Sequence, residues 1–274
     1  MHDTSTMDVL ISIYIFVVGT AFGSFALVLA DRMHAGKDWV KGRSVCNHCN
    51  HKLQAVDLIP LVSWTLQNGR CRHCHKKISW FYPLVELGLG AAFVVSHLLL
   101  PYQLTGLFTV MFGLWLFGLV LMAALVVSDL KWFLLPSKIV YPLALVGLAH
   151  RVVEFFANNK TLVDSLVATT AALAVGAGLF WVLNKVSNGK WIGDGDYRLG
   201  IAMGLFLGDP FLTWMALFFA SVFGLVVAIP KLAKSKNKSK IKIPFGPFLI
   251  IGLFAVYLVG GDFLNWYTDT FIYF

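Results

Sequence analysis

Two aspartates stand at the ends of apolar runs, where a chain of this kind tolerates charge least. Asp129 closes one run in VVSDLKWFLLP, and Asp196 opens another in GDGDYRLGIAMGLFLG. A carboxylate at the centre of a membrane helix costs on the order of 2.5 to 3.5 kcal/mol, so one placed near such a segment is by default a functional candidate. Two apposed carboxylates do not both ionise comfortably. They share a proton, one acting as base toward water while the other donates a hydrogen bond to a carbonyl. That is the chemistry of amide hydrolysis by an aspartic dyad. Gly193 and Gly195 flank Asp194 just before Asp196; glycine permits backbone geometry closed to other residues and removes side-chain bulk beside a substrate.

A second group of residues points to a different chemistry. All four cysteines lie in two Cys-x-x-Cys pairs, CNHC at Cys46 and Cys49 and CRHC at Cys71 and Cys74. Two such pairs about twenty residues apart match a zinc ribbon, in which four thiolates surround one tetrahedral ion. His48, His51, His73 and His75 are close in sequence, but four cysteines already complete a closed site and leave the histidines as solvated loop residues. A closed site has no position for a substrate water, so this metal holds a fold together. A fifty-residue insert with few aliphatic residues needs such a staple.

The elements that position these groups follow from composition. The 274 residues are 58% hydrophobic and 13% charged, with a mean hydropathy of +0.75, which excludes an ordinary water-soluble domain. The sequence predicts an all-α polytopic membrane protein with about eight transmembrane helices, near 8–30, 81–100, 104–128, 137–150, 165–187, 197–208, 211–229 and 246–266. Those at 137–150 and 197–208 are short for a full crossing, which takes roughly 20 residues. The expected domains are 1–30, a first transmembrane helix retained as an anchor; 31–80, a zinc-binding loop; and 81–274, the transmembrane part that carries both aspartates.

Lys and Arg placement sets the orientation. Residues 31–80 hold Arg32, Lys37, Lys41, Arg43, Lys52, Arg70, Arg72, Lys76 and Lys77 against Asp31, Asp38 and Asp57, and KLAKSKNKSKIK at 231–242 holds six lysines and no acid. Both segments are expected in the cytoplasm, a reducing compartment that favours metal over disulfides, with both termini outside. Topology and anionic lipid account for the net charge of +8, so it carries no argument for nucleic acid. On this layout the end of the third helix and the start of the sixth reach the same cytoplasmic boundary, where Asp129 and Asp196 meet. Gly200, Gly204 and Gly208 continue from Asp196 at four-residue steps, an edge that lets a neighbouring helix approach and bring the other carboxylate within reach.

These blocks, in this order, resemble the type IV prepilin peptidases, membrane aspartic proteases of the GxGD kind. GTAFGSFALVLADRM is similar to the family's first helix, RSVCNHCNHKL and DLIPLVSWTLQNGRCRHCHKKISWFYPLVELG to its cytoplasmic loop, SDLKWFLLP and GDGDYRLGIAMGLFLG to its two catalytic motifs, and IPFGPFL to its closing motif. The resemblance implies a bacterial cell-membrane enzyme that cleaves the basic leader of prepilins or pseudopilins on the cytoplasmic side, after a glycine. It also implies N-methylation of the new amino terminus with S-adenosylmethionine. Carried over by motif, Asp129 and Asp196 are the catalytic pair, with Gly193 and Gly195 in the supporting loop and Asp194 in the variable position. Arg198 stands where a lysine is common.

Two further sites are expected on chemical grounds. Glu86, in YPLVE, suits a methylation or substrate site, where it would orient an ammonium group or take its proton; pairing with Lys76 or Lys77 is the competing reading. Pro244, Gly246 and Pro247 in PFGPFL cannot continue an uninterrupted helix, which leaves backbone groups to hold an extended substrate, unless the segment is an ordinary helix start. The competing function is a proton- or cation-coupled transporter with a structural zinc module, since paired carboxylates also relay protons. A zinc-ribbon scaffold that only docks partners would leave the GxGD loop without a purpose.

Overall fold

The computed structural model describes residues 6–38, 41–100, 106–158, 161–190, 192–234 and 242–271. Among them the chain is helical, with two isolated β-bridges and no strand. In chain order the helices are α1 Thr6–His34, α2 Val62–Leu66, α3 Phe81–Leu99, α4 Leu107–Trp132, α5 Ser137–Ala157, α6 Leu162–Leu173, α7 Leu179–Ser187, α8 Asp194–Leu207, α9 Pro210–Lys234 and α10 Gly246–Phe271. A 3₁₀ turn at Ala55–Leu58 precedes α2, and a π-helical turn at Ala174–Gly178 joins α6 to α7 without a break.

Seven helical stretches are long and apolar enough to cross a bilayer among the described residues: α1, α3, α4, α5, the continuous α6–α7, α9 and α10. The segment expected to be short at 137–150 is a full-length helix reaching Ala157. Its polar end stays inside the protein. His150 meets the Tyr257 hydroxyl at 2.6 Å, and Arg151 pairs with Glu154 and donates to the Leu207 carbonyl. The segment at 197–208 does remain short. It is α8, fourteen residues, about 21 Å at 1.5 Å per residue against a core of about 30 Å.

The chain divides into two compact units, the first made of Met1–Leu100 and Leu119–Val127, the second of Pro101–Gly118 and Ser128–Phe274. In the first, α1 and α3 pack through small residues. A Cβ on Gly19 would stand 2.8 Å from the Gly90 Cα, and one on Gly23 2.7 Å from the Glu86 Cα. The paired numbers rise on one helix as they fall on the other, so α1 and α3 are antiparallel. This close approach of backbones is how helices associate where lipid removes the hydrophobic drive. It brings the end of α1 and the start of α3 together at the end where the 35–80 loop emerges.

In the second unit α8 is the central strut, with every residue from Leu199 to Leu207 buried except Ile201. Gly200 lies against Gly176 of the π turn and Gly204 against Ala172 of α6, again an antiparallel register. The glycine edge therefore faces α6 and the π turn and does not receive the helix that carries Asp129, contrary to the sequence expectation. Gly208, at φ +58°, caps α8 and reverses the chain directly into α9. At the heart of this unit Trp115 stacks on Tyr257 with ring centres 3.7 Å apart and meets the edge of Phe206 at 5.7 Å.

Candidate active site and metal centre

Asp129 lies in the last turn of α4 and is buried. The chain leaves that helix at Phe133, whose left-handed backbone (φ 55°, ψ 39°) donates its N–H to the Asp129 carbonyl. Residues 133–136 then lead to α5. The Asp129 side chain is fixed from elsewhere: the Gly246 N–H donates to its Oδ2 at 2.9 Å. Gly246 is the first residue of α10, so a carboxylate sits on the positive end of a helix. The PFGPFL segment is thus a helix start. Its Gly246 amide is engaged by Asp129, while Pro244 precedes the helix and Pro247 lies buried in its first turn.

Asp196 is in the first turn of α8 and half-buried. Its Oδ2 accepts the Gly193 N–H at 3.1 Å, and its own N–H returns to the Gly193 carbonyl at 3.2 Å. It too occupies a helix N-terminus. Asp129 and Asp196 belong to the same compact unit, and both of their segments close on Leu135.

Leu135, which no sequence signal singled out, lies between the two acid-bearing segments. A Cβ on Gly195 would stand 2.7 Å from the Leu135 Cβ, and one on Gly246 would stand 3.1 Å from the Leu135 Cδ2 and 2.7 Å from the Asp129 Oδ2. Gly195 and Gly246 are therefore required by close approach. The conformational freedom expected of the GxG pair is not used: Gly193 has φ −74°, open to any residue, and Gly195 is helical. Arg198, one turn along α8, donates to the Ser137 hydroxyl at the start of α5 and lies over the rings of Tyr141 and Tyr197. Asp194 points elsewhere and accepts from the Asn184 side chain.

The cysteine loop lies in the first unit. Each Cys-x-x-Cys pair is the same turn. The Cys46 N–H bonds to the His51 carbonyl and the Asn50 N–H to the Cys46 carbonyl; Cys71, Lys76 and His75 repeat the pattern, all at 2.9 Å. Asn50 (φ 56°) and His75 (φ 53°) take the matching left-handed positions, and a β-bridge closes each turn, Val45 with Lys52 and Arg70 with Lys77. The four sulfurs lie within 4.8 Å of one another. Cys46 and Cys74 are 3.9 Å apart, where a tetrahedral ion with 2.3 Å bonds to sulfur wants about 3.8 Å between thiolates.

The electrostatics of the cluster suit a cation. Burial raises the Cys46 thiol, but backbone amides at His48 and Cys49 and the neighbouring thiols outweigh it and bring it down to about 7. Cys49 is lowered by the His51 amide, yet burial and the Cys46 and Cys74 sulfurs carry it up to about 11. One thiolate forms readily and opposes the next, which a divalent ion would relieve. The histidines stay outside this set, and His51 and His73 lie ring against ring, 3.7 Å between centres.

Glu86 is buried beside this loop. It accepts the Leu61 N–H at 2.8 Å and a hydrogen bond from Ser24, and holds Leu61 in a left-handed backbone with φ 60°. The ion pair with Lys76 or Lys77 is not the arrangement adopted. Glu86 lines a cleft of about 1270 Å³ whose walls also include Asp31, Asp57, Trp64, His73 and Tyr82.

Family profiles match most of the chain. The profile described as "Bacterial Peptidase A24 N-terminal domain" covers residues 17–100, and that described as "Type IV leader peptidase family" covers 116–229. Among curated proteins, the prepilin leader peptidase/N-methyltransferase of Aeromonas hydrophila is 32% identical over 230 residues, 84% of this chain and 76% of its own length. That of Stutzerimonas stutzeri is 31% identical over 219 residues, 79% of this chain and 72% of its own. The type 4 prepilin-like proteins leader peptide-processing enzyme of Escherichia coli O78:H11 is 32% identical over 217 residues, 79% and 76%. No solved structure matches.

Proposed function

This chain belongs to the type IV leader peptidase family, and from that membership we infer that it is a membrane-embedded aspartic endopeptidase acting on prepilins or pseudopilins. The cut falls after a glycine, between the basic leader and the apolar segment of the substrate. Membership removes the transporter reading, and the dyad gives the GxGD loop a purpose that a docking scaffold lacks. The observation that supports the mechanism is that Asp129 and Asp196 each accept a backbone amide at a helix N-terminus, in segments that both close on Leu135.

In the reaction one carboxylate is ionised and takes a proton from water, which attacks the scissile carbonyl carbon. The other is protonated, hydrogen-bonds the developing oxyanion, and the proton held between the two is delivered to the leaving amine. The Gly246 and Gly193 amides fix the two carboxylates by one oxygen each. Pro244, Gly246 and Pro247 thereby act through Asp129, by setting where α10 begins, before any contact with a peptide. The substrate lies in the bilayer as an apolar helix with its basic leader at the inner boundary, which places the catalytic aspartates and the cysteine loop in contact with the cytoplasm and both termini outside. D129N and D196N are each expected to abolish loss of the leader from a purified prepilin, read by mass, with the variant still present in membranes. Turnover retained by either variant would remove the dyad.

The four cysteines would hold a structural zinc ion, which would pin the two turns of the loop. The second activity, methylation of the amino terminus released by cleavage, belongs to the cleft beside that loop. S-adenosylmethionine would supply an electrophilic methyl group there. Glu86 would orient the ammonium group of the released chain and take its proton, leaving a neutral amine to accept the methyl, and the cleft volume exceeds the 300–1,000 Å³ usual for a cofactor-sized ligand. In the same cleavage assay with S-adenosylmethionine added, a gain of one methyl mass on the mature pilin is expected from the wild type and not from E86Q. Methylation by E86Q at the wild-type rate would remove Glu86 from that role.

A further inference from the structure

The residue between the two glycines of the GxGD string, Asp194, has a buried partner on α7. Asn184, buried in the last turn of α7, donates from one Nδ2 to the Ile192 carbonyl at 2.7 Å and to the Asp194 Oδ1 at 3.1 Å. A carbonyl and a carboxylate both only accept, so the orientation of the amide is forced. At the other end of the connection the Asn184 backbone carbonyl receives the N–H of Gly189 at 2.9 Å, and it is one of two acceptors for Asn188 at the close of α7. One residue therefore grips the chain where it leaves α7 and again where it enters α8. Gly193, between the two residues held by the Asn184 amide, is the donor to Asp196 Oδ2.

We propose that the Asn184 and Asp194 side chains form a clamp that positions the catalytic Asp196, by holding the Gly193 amide on its carboxylate. The proposal rests on the reading of Asp129 and Asp196 as the reacting pair. Neither Asn184 nor Asp194 touches the reacting atoms, so both act on the rate of the chemical step and little on substrate binding. Loss of a clamp of this kind misplaces a catalytic group by a fraction of its hydrogen-bonding distance, which costs on the order of tenfold to a hundredfold in rate.

The test uses the full-length enzyme in lipid nanodiscs with a synthetic prepilin, and reads kcat and KM separately. N184D, which sets two carboxylates against each other, should lower kcat by about ten- to a hundredfold with KM within about threefold. The double variant N184D/D194N restores one donor–acceptor pair between the same positions and should recover about tenfold of that loss. Asp194 is exposed, so variants there keep the proposal testable where N184D fails to assemble. D194L should lose kcat as N184D does, while D194N, whose side-chain carbonyl still accepts from Asn184, should stay within about threefold of wild type. Wild-type kcat in D194L, or D194N and D194L falling together, would overturn the clamp. A wild-type enzyme that leaves the prepilin intact would remove the peptidase reading and take the clamp with it, a result distinct from all of these.

Discussion

Leu135, Gly195 and Gly246 show how little space separates the groups that hold the two acids. A methyl on Gly195 meets the Leu135 Cβ at 2.7 Å, an atom that moves only with its backbone, whereas a methyl on Gly193 meets nothing closer than 3.6 Å. The two positions should therefore differ in kind. G195A is expected to lower kcat by about a hundredfold and G193A by about tenfold or less, measured on one prepilin under one set of conditions. The reverse order would place the requirement in backbone freedom after all. G246A pushes a methyl into the Asp129 carboxylate at 2.7 Å, and its loss of kcat should match that of G195A.

Helix packing sets the position of α8 through backbones rather than side chains. Gly200 faces the Gly176 carbonyl of the π turn, and a wide π turn at this point lets a neighbouring backbone close in. Overpacking at such a contact costs about 1–3 kcal/mol. G200A should accordingly lower the thermal midpoint of the purified protein and reduce kcat, because Asp196 stands one turn away on the same helix. G178A, with open space where the methyl would go, should leave both unchanged. The cysteine loop is the other local unit with its own fastener. One zinc per chain is expected by elemental analysis, and C71S should lose the metal and expose residues 44–77 to limited proteolysis, since metal binding and folding of such a loop are one event. Metal-free wild-type protein with the same protease resistance would argue that the loop folds on its own hydrogen bonds.

The path of the whole chain through the membrane turns on α8. Fourteen residues are too few to span the hydrocarbon core, yet α8 runs antiparallel to α6 and the π turn, and is enclosed by protein from Leu199 to Leu207 except at Ile201. A short helix walled by other helices does not expose its ends to lipid. We propose that it carries the chain back toward the side where α6 begins, so that the seven long spans with α8 make eight passages, and that the basic loop at 35–80 lies inside with both termini outside. A cysteine placed at Lys41 should react with an impermeant thiol reagent only in inverted vesicles, and one placed at Asp269 only in right-side-out vesicles. The same sidedness at both positions would mean that α8 does not complete a passage.

Much of this was legible in the residues alone, for particular reasons. Apolar runs declare spans because lipid admits few alternatives, and two Cys-x-x-Cys pairs point to one cluster of four thiols because that spacing has few other uses. Asp129 and Asp196 stood out because charge beside such runs is costly. The sequence misjudged 137–150 because His150, Arg151 and Glu154 look like an exit into water, while in the structure Arg151 pairs with Glu154 and His150 meets Tyr257 within the protein. The lysine tract at 231–242 falls partly outside the described residues, so its place is still argued from charge. Only the tertiary structure could reveal that Gly246 donates to Asp129, that Leu135 fills the space between Gly195 and Gly246, and that Asn184 holds Asp194. Leu135 lies 111 positions from Gly246 and carries no charge or unusual spacing, and composition and periodicity report what a residue prefers. Which distant residue it meets depends on where the intervening helices run.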